Sequence, residues 1–290
     1  RACGHVIKCP HCDVSLSQHA NGRMVCHYCG YTEPVPVQCP ACGSKYISGF
    51  KAGTEKIEMV VRKRFPEARV LRMDMDTTRG KEDYEQILSA FANHEADILI
   101  GTQMIVKGHD FPDVTLVGVI AADLSLNMDD YHCGERTFQL LTQAVGRSGR
   151  GNKAGHAVIQ TYQPEHYSIQ AAAIQDYEKF YKEEMMYRML LDYPPAAHMM
   201  TVFGACQDEE LLKKAMYYIE VFIRRVSPKE ELHMIGPASA SVGKVKDVYR
   251  QVLHLKHTDI RFLTAVREKL EKYIEINSGF RKIYIQYDMM

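Results

Sequence analysis

Seven of the nine cysteines lie before residue 43, and six of these form three Cys-x-x-Cys units: Cys9 with Cys12, Cys26 with Cys29, and Cys39 with Cys42. With no secretory signal, such pairs read as metal ligands rather than a disulfide framework. Residues 1–45 are poor in apolar side chains and rich in Cys, His, Gly and Pro, so without a metal they hold too little core to fold. Two Cys-x-x-Cys turns each offer two thiolates about one tetrahedral edge apart, and the residues between Cys12 and Cys26 suffice for a hairpin joining them. Cys9, Cys12, Cys26 and Cys29 are therefore the expected ligands of a structural Zn²⁺. Cys39 and Cys42 need partners, of which Cys3 supplies one. The equal spacings leave nested and sequential pairing both open. With three thiolates the second site is either empty or completed by His5 or a water. His5, His11, His19 and His27 read first as surface or outer-shell imidazoles. A closed four-thiolate shell has no open position for a reacting water, and no His-x-Glu precedes Cys39 as a zinc deaminase requires.

The length of 290 residues suggests two domains, and 46% apolar with 25% charged residues describes a globular chain rather than a disordered, collagen-like or coiled-coil one. Lys plus Arg (36) equals Asp plus Glu (36), so any nucleic-acid surface must be local. The longest apolar run, near residues 114–122, is far short of the roughly 18 to 20 residues that span a bilayer. There is no signal peptide or lipidation motif, and the expected location is the cytoplasm. The first residue is Arg1, and Cys3 has no N-terminal partner. The expectation is a cut inside a zinc module of a longer protein.

The cysteine-rich units resemble zinc ribbons and rubredoxin-like knuckles. From about residue 45 the pattern alternates strands and helices. Helices are expected over 54–65 (with Thr54 as cap), 81–92 and 136–145, and strands over 69–73, 98–101, 116–121 and 155–161. Short apolar strands alternating with amphipathic helices imply a parallel sheet of βαβ units. Residues 164–192 read as one linker helix stopped by Tyr193-Pro194-Pro195. Beyond it, strands near 199–206, 232–235, 248–255 and 282–287 with helices over 208–225 and 258–276 resemble a small α+β sandwich of ferredoxin-like type.

Two stretches carry chemistry. Gln143-x-x-Gly146-Arg147-x-Gly149-Arg150 resembles the sixth signature motif of superfamily 2 helicases. Two arginines three apart at a helix end can face a γ-phosphate together and spread its transition-state charge. Residues 97–112 run from a buried strand into a Gly-containing loop and look like helicase motif V. Thr102 and Gln103 sit where the strand ends, the place where ligands collect in open α/β sheets. Gly108 and Asp110 would approach nucleotide, and Lys107 is a candidate phosphate contact.

Thr102-Gln103-Met104-x-x-Lys107-Gly108-His109-Asp110-Phe111-Pro112, the turn Gly53-Thr54-Glu55-Lys56, Asp74-x-Asp76-Thr77-Thr78 and Cys26-His-Tyr-Cys29-Gly30 together resemble the primosomal protein N′ (PriA) family of bacterial replication-restart DNA helicases. The resemblance extends through Gln160-Thr161-Tyr162-x-Pro164-Glu165-His166 and covers nearly the whole chain. It implies an α/β fold: a RecA-like parallel-sheet second helicase lobe (46–163), an N-terminal zinc-ribbon-like module (1–45), a linker helix (164–193) and a C-terminal α+β domain (194–290). It implies ATP-dependent 3′-to-5′ unwinding, two zincs bound in nested fashion, and partners that include branched or single-stranded DNA, the single-strand binding protein and primosome proteins. The candidate catalytic residues become Gln143, Arg147 and Arg150; the nucleotide contacts Gly108 and Asp110; the DNA contacts Thr102, Gln103, Lys107, Lys244 and Lys246.

No phosphate-loop Gly-x-x-x-x-Gly-Lys-[Ser/Thr] is present, and no Asp-Glu-x-His follows an apolar strand. ATP and Mg²⁺ would thus bind only with a first lobe in the missing N-terminal half of the same protein, and the chain by itself is expected to lack ATPase activity. Asp208-Glu209-Glu210 imitates the second of these motifs but reads as a helix N-terminus. Lys244, Lys246, Arg250 and Lys256 are a candidate phosphate-binding surface. Tyr217, Tyr218, Phe222 and the methionines at 185–189 and 199–200 read as core or interface packing. Cys133 beside His132 gives no reason for a reactive thiol. The alternative function is a stand-alone zinc-dependent DNA-binding or primosome-assembly module, which has no use for the arginine pair.

Overall fold

The computed structural model describes residues 3, 5–19, 22–45, 53–75, 77–78, 80–106, 111–128, 130–149, 154–227 and 232–290. It divides into two compact units, Arg1–Gly49 with Met185–Met290, and Phe50–Glu184.

The cysteine-rich stretch folds into a three-stranded antiparallel sheet of β1 (Ser17–Gln18), β2 (Arg23–Val25) and β3 (Thr32–Pro34). These strands are too short to stand alone. Their core is largely sulfur: Cys9, Cys12 and Cys26 are buried with Leu16, Met24 and Val245.

The second unit opens with α1 (Thr54–Arg64). Its N-cap is Gly53, not Thr54, whose hydroxyl instead donates to the Asp74 carboxylate. β4 (Val70–Met73), α2 (Lys81–Ala92) and β5 (Ile98–Gly101) follow, with β4 and β5 paired in parallel. Arg69 fixes that register, because its backbone N–H, Nε and Nη2 all donate to Asp97 at 2.8–3.0 Å. The guanidinium and backbone donors hold the Asp97 carboxyl down to about 2. A 3-10 turn (Gln103–Val106) leaves β5. β6 (Leu116–Val119), α3 (Asp123–Leu126), α4 (Cys133–Val145) and β7 (His156–Ile159) complete a second parallel pair, β6 with β7. Both pairs have the parallel sense that the βαβ pattern requires. Among the described residues they are two separate two-stranded sheets rather than one.

The expected linker helix is two helices, α5 (Tyr167–Ala173) and α6 (Tyr177–Leu190). Gln175 between them takes φ 56°, outside helical range, and ends the first. α5 packs on α4, burying Phe138, Leu141, Ile169, Ala172 and Phe180. Phe138 and Phe180 stack at 4.2 Å.

The C-terminal part runs β8 (His198–Cys206), α7 (Glu209–Val226), β9 (His233–Val245), β10 (Val248–His257), α8 (Ile260–Ile276) and β11 (Tyr284–Met289). The sheet order β11-β8-β10-β9, antiparallel throughout, is the ferredoxin-like βαββαβ arrangement. Leu212, Met216, Ile219 and Ile223 recur on one face of α7 and meet Leu263, Val266 and Leu270 of α8 over Met200, Val202, Leu253 and Leu255. Each such side chain contributes about 1.5–3 kcal/mol by burial. Asp208 caps α7 by accepting from Leu211 N at 3.0 Å, and Glu209 and Glu210 pair with Lys213. That confirms the structural reading of this acidic run.

Tyr217 and Tyr218, 57% and 55% exposed opposite the buried stripe of α7, depart from expectation, as do Met186 and Met189 at 51% and 60%. Phe222 does pack, stacked on Tyr273 at 4.2 Å, and Met199 and Met200 are buried. No helix among the described residues is long and apolar enough to cross a membrane.

Candidate functional site

The first site is built of thiols. Cys9, Cys12, Cys26 and Cys29 place their sulfurs within 4.8 Å of one another, and Cys3, Cys39 and Cys42 form a second such group. The inner pairs thus share one centre and the outer cysteines another, which is nested rather than sequential pairing. Four Zn–S bonds of about 2.3 Å make a tetrahedron with edges of about 3.8 Å. The Cys9–Cys29 sulfur separation is 3.5 Å, so the four-thiol set fits a zinc centre. The local turns are set by backbone bonds, Cys9 N to Val14 O at 2.9 Å, Cys26 N to Tyr31 O at 2.8 Å and Cys39 N to Ser44 O at 2.8 Å. Gly30 closes the second turn with φ 79°, a conformation that residues with a Cβ rarely take.

Burial drives the Cys9 thiol up to about 12, against the backbone N–H of His11, and raises Cys12 as well. Burial also acts on Cys26, but the Cys29 and Tyr28 N–H groups and neighbouring thiols override it and bring this thiol down to about 7. In the outer group the N–H groups of Cys42 and Ala41 lower Cys39 to about 7. Each cluster therefore has one thiol, Cys26 or Cys39, that its neighbouring donors bring down toward ionisation, as a metal ligand requires.

The second candidate site lies at the C-terminal ends of β4 and β5. Asp74, buried where β4 ends, accepts from Thr54 Oγ1 and from Thr77 N at 3.0 Å. Two of the segments that carried the family resemblance, at 53–56 and 74–78, therefore meet. Thr102 and Gln103 are exposed just beyond β5. The turn they open packs on α4. α4 carries exposed Gln143 and ends at Gly146, with Arg147 half-buried in the following turn, its N–H on Ala144 O at 3.0 Å. Lys107, Gly108, Asp110 and Arg150 lie outside the described residues.

Gly101, the last residue of β5, admits no side chain. A Cβ there would lie 2.6 Å from the Met73 carbonyl oxygen and 2.6 Å from Ile105 Cγ2. Gly101→Ala is expected to destabilise the chain by about 1–3 kcal/mol, since backbone must shift. Urea unfolding measures this, and an unchanged midpoint would refute the tight approach.

α4 begins at Cys133, three residues earlier than expected, and Arg136 lies within it, paired to Asp130 at 2.7 Å. Burial raises the Cys133 thiol, as an unreactive cysteine requires. Of the C-terminal lysines, Lys246 is exposed, whereas Lys244 Nζ donates to Pro10 O at 2.9 Å. Lys256 is not on the surface: it is 4% exposed, and its Nζ donates to Leu191 O and sits 3.3 Å from the Tyr193 ring. Sequence reasoning missed Asp123, which is buried and accepts from Thr161 Oγ1 at 2.7 Å and from Tyr162 N, tying the end of β6 to the end of β7. It also missed Asp247, 2.7 Å from His11. No spacing signal points to either residue.

Family models match three stretches in succession: the PriA DNA helicase Cys-rich region (CRR) domain at residues 9–34, the Helicase conserved C-terminal domain at 45–152, and the Primosomal protein N C-terminal domain at 189–290. Replication restart protein PriA of Bacillus subtilis is 43% identical over 291 residues, covering 100% of this chain and 36% of that protein. The PriA proteins of Synechocystis sp. and Thermotoga maritima are 42% and 36% identical, over 89% and 94% of this chain. The chain spans only 31% and 36% of their respective lengths. A thiol module of this design, a parallel α/β unit and a ferredoxin-like domain in one order, matched along their whole course, place the chain in the PriA family of replication restart proteins, as the portion that carries the Cys-rich region, the helicase C-terminal domain and the C-terminal domain.

Proposed function

We propose that the chain supplies the second motor lobe of an ATP-driven 3′-to-5′ DNA helicase acting in replication restart, together with a zinc module and a C-terminal DNA-binding domain. One observation carries this reading. The turn at Gln103–Val106 packs on the helix that leads to Arg147, so the two helicase-like stretches share one edge of one unit. In a full motor, Gln143, Arg147 and Arg150 face the γ-phosphate of an ATP–Mg²⁺ held by the other lobe, and the arginines spread the charge of the transferred phosphoryl group. Gly108 and Asp110 border the nucleotide. Thr102, Gln103 and Lys107 hold DNA phosphates on the motor side, and Lys246, with Lys244 less free, does so on the C-terminal side. Zinc in the four-thiol site is structural, and single-strand binding protein and primosome proteins are the partners that the family resemblance suggests.

The half-site reading has a direct test. The purified chain is expected to release no phosphate from ATP above background, with or without single-stranded DNA, under conditions where the full-length protein does. DNA-dependent hydrolysis by the chain alone would sink it.

A further inference from the structure

The four-thiol cluster is not closed by the cysteine-rich stretch alone. The turn between β9 and β10 is Lys246-Asp247, with φ 52° and 59°, the two-residue geometry of a tight hairpin. Before it, Val245 is buried among Cys9, Cys12, Leu16, Met24 and Cys26. Around the turn the loop from Pro10 to Asp13 is bonded at nearly every residue. Asp13 N donates to Lys244 O at 2.8 Å, Asp247 N to His11 O at 2.9 Å, and Lys244 Nζ to Pro10 O at 2.9 Å. His11 Nδ1 is 2.7 Å from Asp247 Oδ2. Lys246 N donates to the Cys12 sulfur itself at 3.3 Å.

Donors to a ligating thiolate stabilise its charge and fix its direction, and loss of such outer partners typically costs 10–100-fold in metal affinity. Here one comes from a residue 234 positions away. We propose that the Lys244–Asp247 hairpin tip is part of the metal site: it holds the Cys9-x-x-Cys12 loop in ligating geometry, and metal retention and ordering of the β9–β10 tip form one thermodynamic unit. This rests on the reading of the four-thiol cluster as a zinc site.

The test uses the whole 290-residue chain loaded with zinc, and follows metal release to a chromogenic chelator. Inserting two glycines between Lys246 and Asp247 displaces the Lys246 N–H while leaving the strands paired, and is expected to speed release by about 10–100-fold. Asp247→Gly, an exposed change that the left-handed turn accepts, removes the carboxylate from His11 and should speed it severalfold. In the unaltered chain, withdrawing zinc should raise amide exchange at Asp13 and Asp247 while β8 stays protected. Wild-type release from both variants, or unchanged exchange at Asp13 and Asp247, overturns the proposal. Should the insertion unfold β8, the Asp247→Gly rate decides alone. A chain that binds no zinc with all four thiols free overturns the metal reading first, and the coupling with it.

Discussion

Arg147→Ala and Arg150→Ala in the full-length protein are expected to lower ATP turnover by about a thousandfold or more, the scale of losing an arginine finger, with DNA affinity changed little. On the proposed motor reading, the ground-state triphosphate is held by the other lobe's phosphate loop and Mg²⁺, whereas the guanidinium pair would meet the charge that grows on the transferred group. Arg147 lies one residue past the Gly146 end of α4, and its half-buried stem is positioned by that helix rather than by a free loop. Steady-state hydrolysis and fluorescence anisotropy on the same preparations measure the two quantities separately. Equal loss of both would favour the stand-alone binding module, in which these arginines are merely phosphate contacts on DNA. Arg→Lys variants should rescue little, because a point charge cannot span two phosphate oxygens as a planar fork does.

Removal of zinc is expected to have an equally large effect on a different property. Structural zinc contributes on the order of 10 kcal/mol to small modules, and the strands of the cysteine-rich sheet have two or three residues each. Among the described residues of that stretch, only Leu16 and Met24 join the cysteines as buried apolar side chains, too few to offset the entropy of ordering it. Chelation, or Cys26→Ser at a fully buried ligand, should therefore abolish amide protection at Leu16 and Cys26, whose N–H groups are bonded to Ile7 O and Tyr31 O. The core of α7 and α8 against β8 and β10 should keep its protection. If the Leu16 and Cys26 amides stay protected in metal-free chain, the module folds on its own and zinc has some other purpose.

The ends of α2 and β5 agree with the sequence reading to the residue, because both are bounded by strong local signals. The ferredoxin-like order was legible for the same reason, since α7 and α8 have clean apolar faces. β9 was not. Its first three residues read as strand, but the rest passes through Gly236-Pro237 and a run of Ala, Ser and Gly with two register shifts against β10. Such a strand has no alternation to detect, and only pairing with β10 makes it one. The thiol site shows the same divide. Its ligands follow from spacing, but the nested grouping needs three dimensions. Asp247 and the Lys246 N–H are invisible because their partners are more than two hundred residues distant. Lys256 shows the converse error, a cation read as surface that lies under Tyr193.

The joining of His11 to Asp247, 236 residues apart, also bears on how the protein is made. Ribosomes add about 5–20 residues per second, so the cysteine-rich segment emerges on the order of 10 to 50 s before the hairpin that completes it. During that interval its thiols lack their final wall, ready to take a metal but ill-equipped to keep it. The β9–β10 tip thus acts as a latch on a segment made 236 residues earlier, and a chain cut short before it would carry a loosely held ion.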